Sequence, residues 1–121
     1  MSKVVLVVDD DPDVLDVAAT QIESFGYLAK VADNANDALR LAESDGFDVV
    51  LTDVVMPGMN GYQLARRLRE IEPRLPVICA TGYPNVSDGD RHCDIVLQMP
   101  YRAAVLKHVL CTVLATAATG S

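Results

Sequence analysis

The chain has 121 residues, of which half are apolar and 22% are charged, and its formal net charge is -7. This length suits one domain with a single core, and the apolar content excludes an intrinsically disordered chain. The acidic charge argues against general affinity for nucleic acid, because binding to phosphates requires lysine and arginine. We expect one domain over residues 1–121, with no transmembrane segment, no signal peptide and a cytoplasmic location.

The first third of the chain predicts a strand, a helix and a second strand. Lys3 to Val8 consists almost entirely of valine and leucine, which is typical of a strand buried on both faces. Asp11 and Pro12 follow as the N-cap and the first residue of a helix that ends at Gly26. Four apolar residues at helical spacing form its inner face: Val14, Ala18, Ile22 and Phe25. Tyr27 to Ala32 is the second predicted strand.

Two further helices surround a third strand. Asn34 caps a helix that ends at Gly46 and whose inner face comprises Ala35, Ala38, Leu39 and Ala42. Phe47 to Thr52 is predicted as a strand that leads directly into Asp53. The next helix stops before Pro73. Its apolar face contains Tyr62, Leu64, Ala65, Leu68 and Ile71.

The last third predicts two strands and a final helix. The strands are Leu75 to Ala80 and Asp94 to Gln98, and the helix begins at about Arg102. Its inner face contains Leu106, Val109, Leu110, Val113 and Leu114. Tyr83 to Cys93 has little apolar face, so we expect one short helix or a mobile loop there. The small and polar residues from Ala115 to Ser121 are expected to fray.

Alternating strands and helices with continuously apolar strands predict an α/β fold with a parallel sheet covered on both faces. Ligands of such sheets bind beyond the carboxyl ends of the strands. That edge should therefore collect Asp9, Asp10, Asp53 and Thr81, which follow or end three different strands. Taken alone, Asp53 could simply end a strand by turn chemistry, and the Asp9–Asp11 cluster is what favours a functional site.

Three carboxylates in one crevice repel each other. A like-charge pair at ~4 Å costs roughly 4 kcal/mol at an effective dielectric constant near 20. Such a cluster keeps a proton or binds a cation, and oxygen ligands that leave room for water and phosphate suit Mg²⁺. The sequence therefore predicts a Mg²⁺ site at which a carboxylate can attack phosphorus.

The three cysteines, Cys79, Cys93 and Cys111, are odd in number and widely spaced. This pattern predicts reduced thiols in a reducing compartment and not a disulfide framework. The tripeptide His92-Cys93-Asp94 lacks the spacing of a metal site, and we interpret it as ordinary loop sequence.

These motifs resemble the receiver domains of two-component response regulators along essentially the whole chain. The resemblance rests on the acidic pair after the first strand, on Asp53 to Gly61 and on Thr81 at the end of the fourth strand. It also includes Pro100-Tyr101 after the fifth strand. The combination is most similar to receivers that are attached to hybrid sensor kinases.

The resemblance implies a doubly wound, flavodoxin-like sheet of five parallel strands in the order 2-1-3-4-5 between two helical layers. It implies that Asp53 accepts a phosphoryl group. Asp10 and Asp53 would bind Mg²⁺ directly, and Asp9 would do so through water. The backbone carbonyl of Val55 would complete the protein ligands, and Thr81 would hydrogen-bond the phosphoryl oxygens.

The resemblance also implies the partners. The phosphoryl donor would be a histidine of a sensor kinase or of a histidine phosphotransfer protein, and a downstream protein would recognise the result. We expect no direct contact with nucleic acid or with a membrane. We expect no enzymatic activity beyond the domain's own phosphorylation and dephosphorylation.

Three features depart from the family pattern. Met99 occupies the position where the family has a lysine that pairs with the acceptor aspartate, so we expect weaker or less well coupled phosphorylation. Val96 stands where a switching aromatic residue is often found. The segment from Tyr83 to Cys93 has few apolar residues, so we expect the usual signalling face of the family to differ here.

Three alternatives remain open from the sequence. Asp9 to Asp13 superficially fits a haloacid-dehalogenase phosphatase, but that class needs Thr or Val at position 13, a catalytic lysine and usually a cap domain. The same residues are similar to the start of an EF-hand, whose glycine and closing glutamate are absent. The third alternative, motivated by Met99, is a degenerate receiver that binds a partner without being phosphorylated.

Overall fold

The computed structural model describes residues 2–82 and 93–119. It contains five strands and four helices within those ranges, in the order that the sequence predicts. In chain order the elements are β1 Val4–Val8, α1 Pro12–Ser24, β2 Leu28–Ala32, α2 Ala35–Ser44, β3 Val49–Asp53, α3 Gly61–Ile71, β4 Val77–Thr81, β5 Ile95–Gln98 and α4 Ala103–Thr119.

The five strands form one parallel sheet in the order β2-β1-β3-β4-β5. The predicted flavodoxin-like strand order is therefore confirmed. β1, β3 and β4 occupy the centre, and their residues are almost all buried valine, leucine, isoleucine, alanine or cysteine. Strands covered on both faces read as such continuous apolar runs, which explains why the sequence predicted them well.

Successive strand residues face opposite sides of the sheet and build two separate apolar clusters. The α2/α3-side cluster contains Leu6, Val8, Val50 and Cys79 from the strands. The α1/α4-side cluster contains Val5, Val7, Leu51 and Ile78 from the same strands. Burying each large aliphatic side chain contributes about 1.5–3 kcal/mol, so the two helical layers are held mainly by these clusters.

The helix starts follow the local signals in the sequence. The side chain of Asp11 accepts a hydrogen bond from the backbone of Asp13 and caps α1, with Pro12 as its first residue. Asn34 caps α2 in the same way. Asn60 and Gln63 form a reciprocal capping box at the start of α3. These caps satisfy backbone N–H groups that lack partners within the helix.

Some predicted boundaries and faces differ from the structure. β3 begins two residues later than predicted and extends through Asp53. Ile71 was predicted on the inner face of α3, but it is the last residue of the helix and 37% of its surface is exposed. α4 continues to Thr119, past Ala115 where we expected fraying. Most of the segment from Tyr83 to Cys93, for which we predicted one short helix or a mobile loop, lies outside the described residues.

The prediction of three reduced cysteines is wrong. Cys79 and Cys93 form a disulfide whose Cα atoms are 5.9 Å apart, and Cys111 is free and exposed. Cys79 lies in β4, and Cys93 precedes the neighbouring strand β5 by two residues. Parallel pairing of these strands brings the two residues together although 14 positions separate them, and neither count nor spacing shows such proximity.

None of the helices within the described residues combines the length and the apolar character that a bilayer span requires.

Candidate functional site

The pairing of the central strands places the acidic residues at one edge of the sheet. Val8 lies opposite Thr52 in the β1–β3 register, so Asp9 and Asp53 each follow directly from that pair. Asp53 in turn lies opposite Ala80, one residue before Thr81. The backbone N–H of Asp9 donates to the carbonyl of Ala32 at 3.2 Å, which continues the sheet pairing past the end of β1.

Three carboxylates meet at this edge. Each of Asp9, Asp10 and Asp53 offers an oxygen, and these oxygens all lie within 4.8 Å of one another. Asp9 is almost completely buried, Asp53 is half-buried and Asp10 is exposed. The sequence prediction that residues from separate strands share one site is therefore correct for these three aspartates.

The cluster is electrostatically unfavourable as it stands. Burial, followed by the charges of Asp53, Asp10 and Asp11, raises the pKa of Asp9 to about 6, against a hydrogen bond of 2.9 Å that its Oδ1 accepts from the backbone of Asp11. Burial and then the charge of Asp10 also raise the pKa of Asp53. Raised values of this kind mean that the ionised carboxylates lack enough positive charge nearby.

The donor set fits a hard divalent cation. All three side chains supply oxygen, the ligand type that Mg²⁺ prefers, and the exposed side of the cluster leaves room for water. A bound cation would offset the repulsion that raises the carboxylate pKa values. Val55, the other predicted ligand, lies two residues after Asp53, and its backbone N–H donates to Oδ1 of Asp53 at 3.4 Å.

The loop from Val54 to Asn60 is folded back tightly against the start of α3. The backbone N–H of Val54 donates to Ala80 at 3.0 Å, and its carbonyl accepts from Gly61 at 2.8 Å. A Cβ atom added to Gly61 would lie 2.8 Å from the Cα of Val54 and would also clash with the backbone of Asp53. Glycine is therefore required at the first position of α3 so that the helix can approach Asp53 this closely.

Thr81 and Met99 lie beside each other at the same edge. Thr81 is the buried last residue of β4, and its carbonyl accepts a hydrogen bond of 2.8 Å from the backbone N–H of Met99. The Met99 side chain is half-buried and packs against the α1/α4-side cluster. The position where the family carries lysine thus holds an uncharged thioether that packs against apolar neighbours.

Tyr101 is a neighbour of the site for which the sequence predicted no role. It is half-buried and packs against the α1/α4-side cluster. Burial, and after it the charge of Asp9, raises the pKa of its phenol, so the ring stays protonated near neutral pH. Its position directly after Pro100 was a visible signal, but the sequence did not show that it lies within the field of Asp9.

The chain is similar to known signalling proteins. It is 37% identical over 110 residues to the sensor histidine kinase RcsC of Salmonella typhimurium, a match that covers 88% of this chain and only 12% of RcsC. A CheY-like receiver domain protein from Methanospirillum hungatei is similar over 100% of both chains, with a TM-score of 0.92 and 25% identity.

A third similar protein carries a metal. It is the receiver domain of a Pseudomonas aeruginosa sensor histidine kinase, crystallised with a magnesium ion in its active site cleft. The similarity covers 95% of this chain and 99% of that one, with a TM-score of 0.83 and 28% identity. The family model for the response regulator receiver domain matches residues 5–100, which include all five strands except the first residue of β1, and the three clustered aspartates. The chain therefore belongs to the response regulator receiver domain family of two-component systems.

Proposed function

We propose that Asp53 accepts a phosphoryl group from a phosphohistidine of a partner protein, and that this modification changes how the domain binds a downstream partner. The observation that carries the proposal is the meeting of three carboxylate oxygens within 4.8 Å at the ends of β1 and β3. Asp53 is the half-buried member of the cluster, so a donor can reach its carboxylate.

The aspartates have different proposed roles. Asp10 and Asp53 would bind Mg²⁺ directly, the buried Asp9 would act through a water molecule, and the backbone carbonyl of Val55 would complete the protein ligands. When bound, the ion supplies positive charge that offsets the negative charge of the phosphoryl group and of the carboxylates. The donor set and the raised pKa of Asp9 support this assignment.

The transfer itself is a nucleophilic substitution at phosphorus. A carboxylate oxygen of Asp53 forms the new O–P bond while the N–P bond of the phosphohistidine breaks. The electron pair of that bond returns to the imidazole nitrogen. Asp53 must be ionised in order to attack phosphorus, and an ionised carboxylate needs no base. The hydroxyl of Thr81 donates a hydrogen bond to the transferred phosphoryl oxygens and links their presence to the chain that follows β4.

Met99 limits this proposal. A lysine at this position would pair with Asp53 before transfer and with the phosphoryl group afterwards, whereas Met99 can do neither. We therefore expect phosphorylation that depends strongly on Mg²⁺ and that is weaker or less well coupled to a change of shape. The half-exposed Val96, at the position of the usual aromatic switch, supports the same expectation.

The uncharged Met99 also favours a second function. In that case the domain is a degenerate receiver that binds its partner through a fixed surface, and the acidic cluster persists without accepting phosphate. The two functions differ in one respect that can be measured, because only the first makes partner binding depend on Asp53.

We further propose that the domain works in the cytoplasm with a sensor histidine kinase or a histidine phosphotransfer protein as donor. The similarity to the RcsC kinase supports this class of donor, although this chain spans only 12% of RcsC. A downstream protein would bind the phosphorylated form, and no direct contact with nucleic acid is proposed.

The test is phosphorylation by acetyl phosphate in the presence of Mg²⁺, followed by intact-mass measurement. We expect the mass of one added phosphoryl group in the wild type and none in Asp53→Asn. Asp16→Asn is a matched control, because it makes the same change at an exposed position of α1. Absence of an adduct with acetyl phosphate and with any histidine donor would exclude the phosphoacceptor role of Asp53. Partner binding that is unaffected by Asp53→Asn would establish the function of a fixed binding module.

A further inference from the structure

The disulfide between Cys79 and Cys93 is a second chemically reactive feature, separate from the acidic cluster. It joins the middle of β4 to the residue two positions before β5. The Cα–Cα distance of 5.9 Å lies within the range that disulfides require. Both residues pack in the α2/α3-side cluster, on the face of the sheet opposite α1 and α4.

The backbone around the disulfide is held in place by contacts that do not involve sulfur. The carboxylate of Asp94 accepts a hydrogen bond of 2.7 Å from the backbone N–H of Val77. The backbone N–H of Asp94 donates to the carbonyl of Val77 at 2.8 Å. The guanidinium of Arg69 donates to the same carboxylate at 2.5 Å. These hydrogen bonds hold Cys79 and Cys93 close together, so the two thiols can pair again after reduction.

The two cysteine residues differ in burial. Cys79 is completely buried in the sheet, whereas Cys93 is half-buried at the start of the β5 segment. An external thiolate can therefore approach the sulfur of Cys93 more readily than that of Cys79. This asymmetry makes Cys93 the point of attack and Cys79 the internal partner.

We propose that Cys79 and Cys93 form a reversible dithiol–disulfide couple that exchanges electrons with small or protein dithiols and fastens β5 to β4 when oxidised. A thiolate of the reductant attacks the sulfur of Cys93, the Cys79–Cys93 bond breaks, and Cys79 leaves as a thiolate that takes a proton from water. The second thiolate of the reductant then attacks the reductant's own sulfur in the mixed disulfide and releases Cys93, which is protonated in turn. The disulfide gains two electrons and two protons, and the dithiol becomes a disulfide.

The couple acts on the edge strand of the sheet. Among the described residues β5 pairs only with β4, and it has four residues, so its opening breaks few hydrogen bonds. The disulfide ties its amino-terminal end covalently, while the hydrogen bond from Met99 to Thr81 holds the other end. Reduction therefore leaves β5 held by hydrogen bonds and packing only, and its amides should open more often.

In a reducing compartment, such a couple would respond to the redox state. Disulfides in cytosolic proteins are mostly transient and catalytic or redox-sensing. The Cys79–Cys93 disulfide lies beside the contacts of Asp94 and Arg69, and one of its two cysteines is only half-buried. These are the features that a reversible disulfide needs. The proposal does not depend on phosphorylation of Asp53.

The test combines thiol counting with amide hydrogen exchange on the intact chain. After equilibration with oxidised dithiothreitol we expect one alkylated cysteine, Cys111, and after reduced dithiothreitol three, with full recovery of the first state on reoxidation. Exchange at β5 should be several-fold faster in the reduced form. Three alkylated cysteines under oxidising conditions, or equal exchange in both states, would overturn the proposal.

Two variants separate the couple from general effects of the reagent. Cys111→Ser removes the free thiol and should keep the full redox dependence of exchange at β5. Cys93→Ser changes a half-buried residue and should exchange at the reduced rate under both conditions. A redox dependence that survived in Cys93→Ser would also contradict the proposal, and unfolding curves of this variant verify that it is folded.

Discussion

At the scale of single residues, Asp9 is the carboxylate whose environment is least favourable. Its pKa is raised from 3.8 to about 6, so the folded state holds a proton that the unfolded state has lost between these values. The unfolding free energy therefore falls as pH rises through this window and stays reduced above it. At roughly 1.4 kcal/mol per pKa unit the cost is at most about 3 kcal/mol at neutral pH.

Asp9→Asn tests this account of the acidic cluster. Without Mg²⁺ and near neutral pH, we expect the variant to have a free energy of unfolding about 1–2 kcal/mol higher than the wild type, because it removes a poorly solvated charge. Near pH 4 the difference should largely disappear, since Asp9 is then protonated in the folded wild type. Urea denaturation at both pH values measures it, and an equal effect at both would show that the charge is not the cause.

Met99 is the residue whose replacement should improve the site. Met99→Lys places a cation at the edge that carries Asp53, and its aliphatic stem can keep much of the packing of methionine. We expect about 1 kcal/mol more stability without Mg²⁺ and faster phosphorylation by acetyl phosphate at low Mg²⁺. Val105→Lys adds the same charge at an exposed position of α4 and should change neither. If Met99→Lys behaved like this control, our explanation of the missing lysine would be wrong.

At the scale of elements, the turn between β3 and α3 shapes the site through one glycine. Gly61→Ala should cost about 1–3 kcal/mol, because its Cβ would lie 2.8 Å from the Cα of Val54 and the backbone must move. The movement would displace the loop after Asp53, so phosphorylation should also slow. Gly82→Ala is the control, since a Cβ atom there meets nothing within 4 Å among residues 2–82 and 93–119. Thermal unfolding of both variants measures the difference, and equal destabilisation would contradict the close approach.

The elements also show how far the sequence alone could lead. Local signals such as Asp11-Pro12, Asn34 and the apolar runs of β1, β3 and β4 predicted the elements correctly, because these signals act within a few residues. The end of β3 brought Asp53 to the predicted edge for the same reason. Thr81 and Met99 also occupy that edge, but their functional roles remain predictions.

The features that the sequence did not reveal all depend on contacts between distant segments. His92-Cys93-Asp94 was interpreted as ordinary loop sequence, yet Cys93 is bonded to Cys79 and Asp94 contacts Val77 and Arg69. The influence of Asp9 on Tyr101 likewise arises only when the segment after β5 packs against the α1/α4-side cluster. Periodicity and turn chemistry describe residues that are close in sequence, so they do not reveal such pairs.

At the scale of the whole molecule, two apolar clusters share a single sheet, and each contains residues from β1, β3 and β4. Neither cluster can persist once the sheet separates, so we predict one cooperative unfolding transition for the isolated chain. Far-ultraviolet circular dichroism and tyrosine fluorescence should give coincident urea curves with about 5–15 kcal/mol of stability. Two separated transitions would show that residues 1–121 are not a single domain.

In the proposed function, a carboxylate oxygen of Asp53 carries the phosphoryl group. The most direct measurement is fragmentation mass spectrometry of the chain after treatment with acetyl phosphate and Mg²⁺, because it locates the modification among Asp9, Asp10 and Asp53. Our account predicts a single phosphoryl group on the fragment that contains Asp53. It also predicts that no phosphoryl group is added when Mg²⁺ is chelated before the donor is added. A phosphoryl group on Asp9 or Asp10, or no modification with any donor, would contradict it.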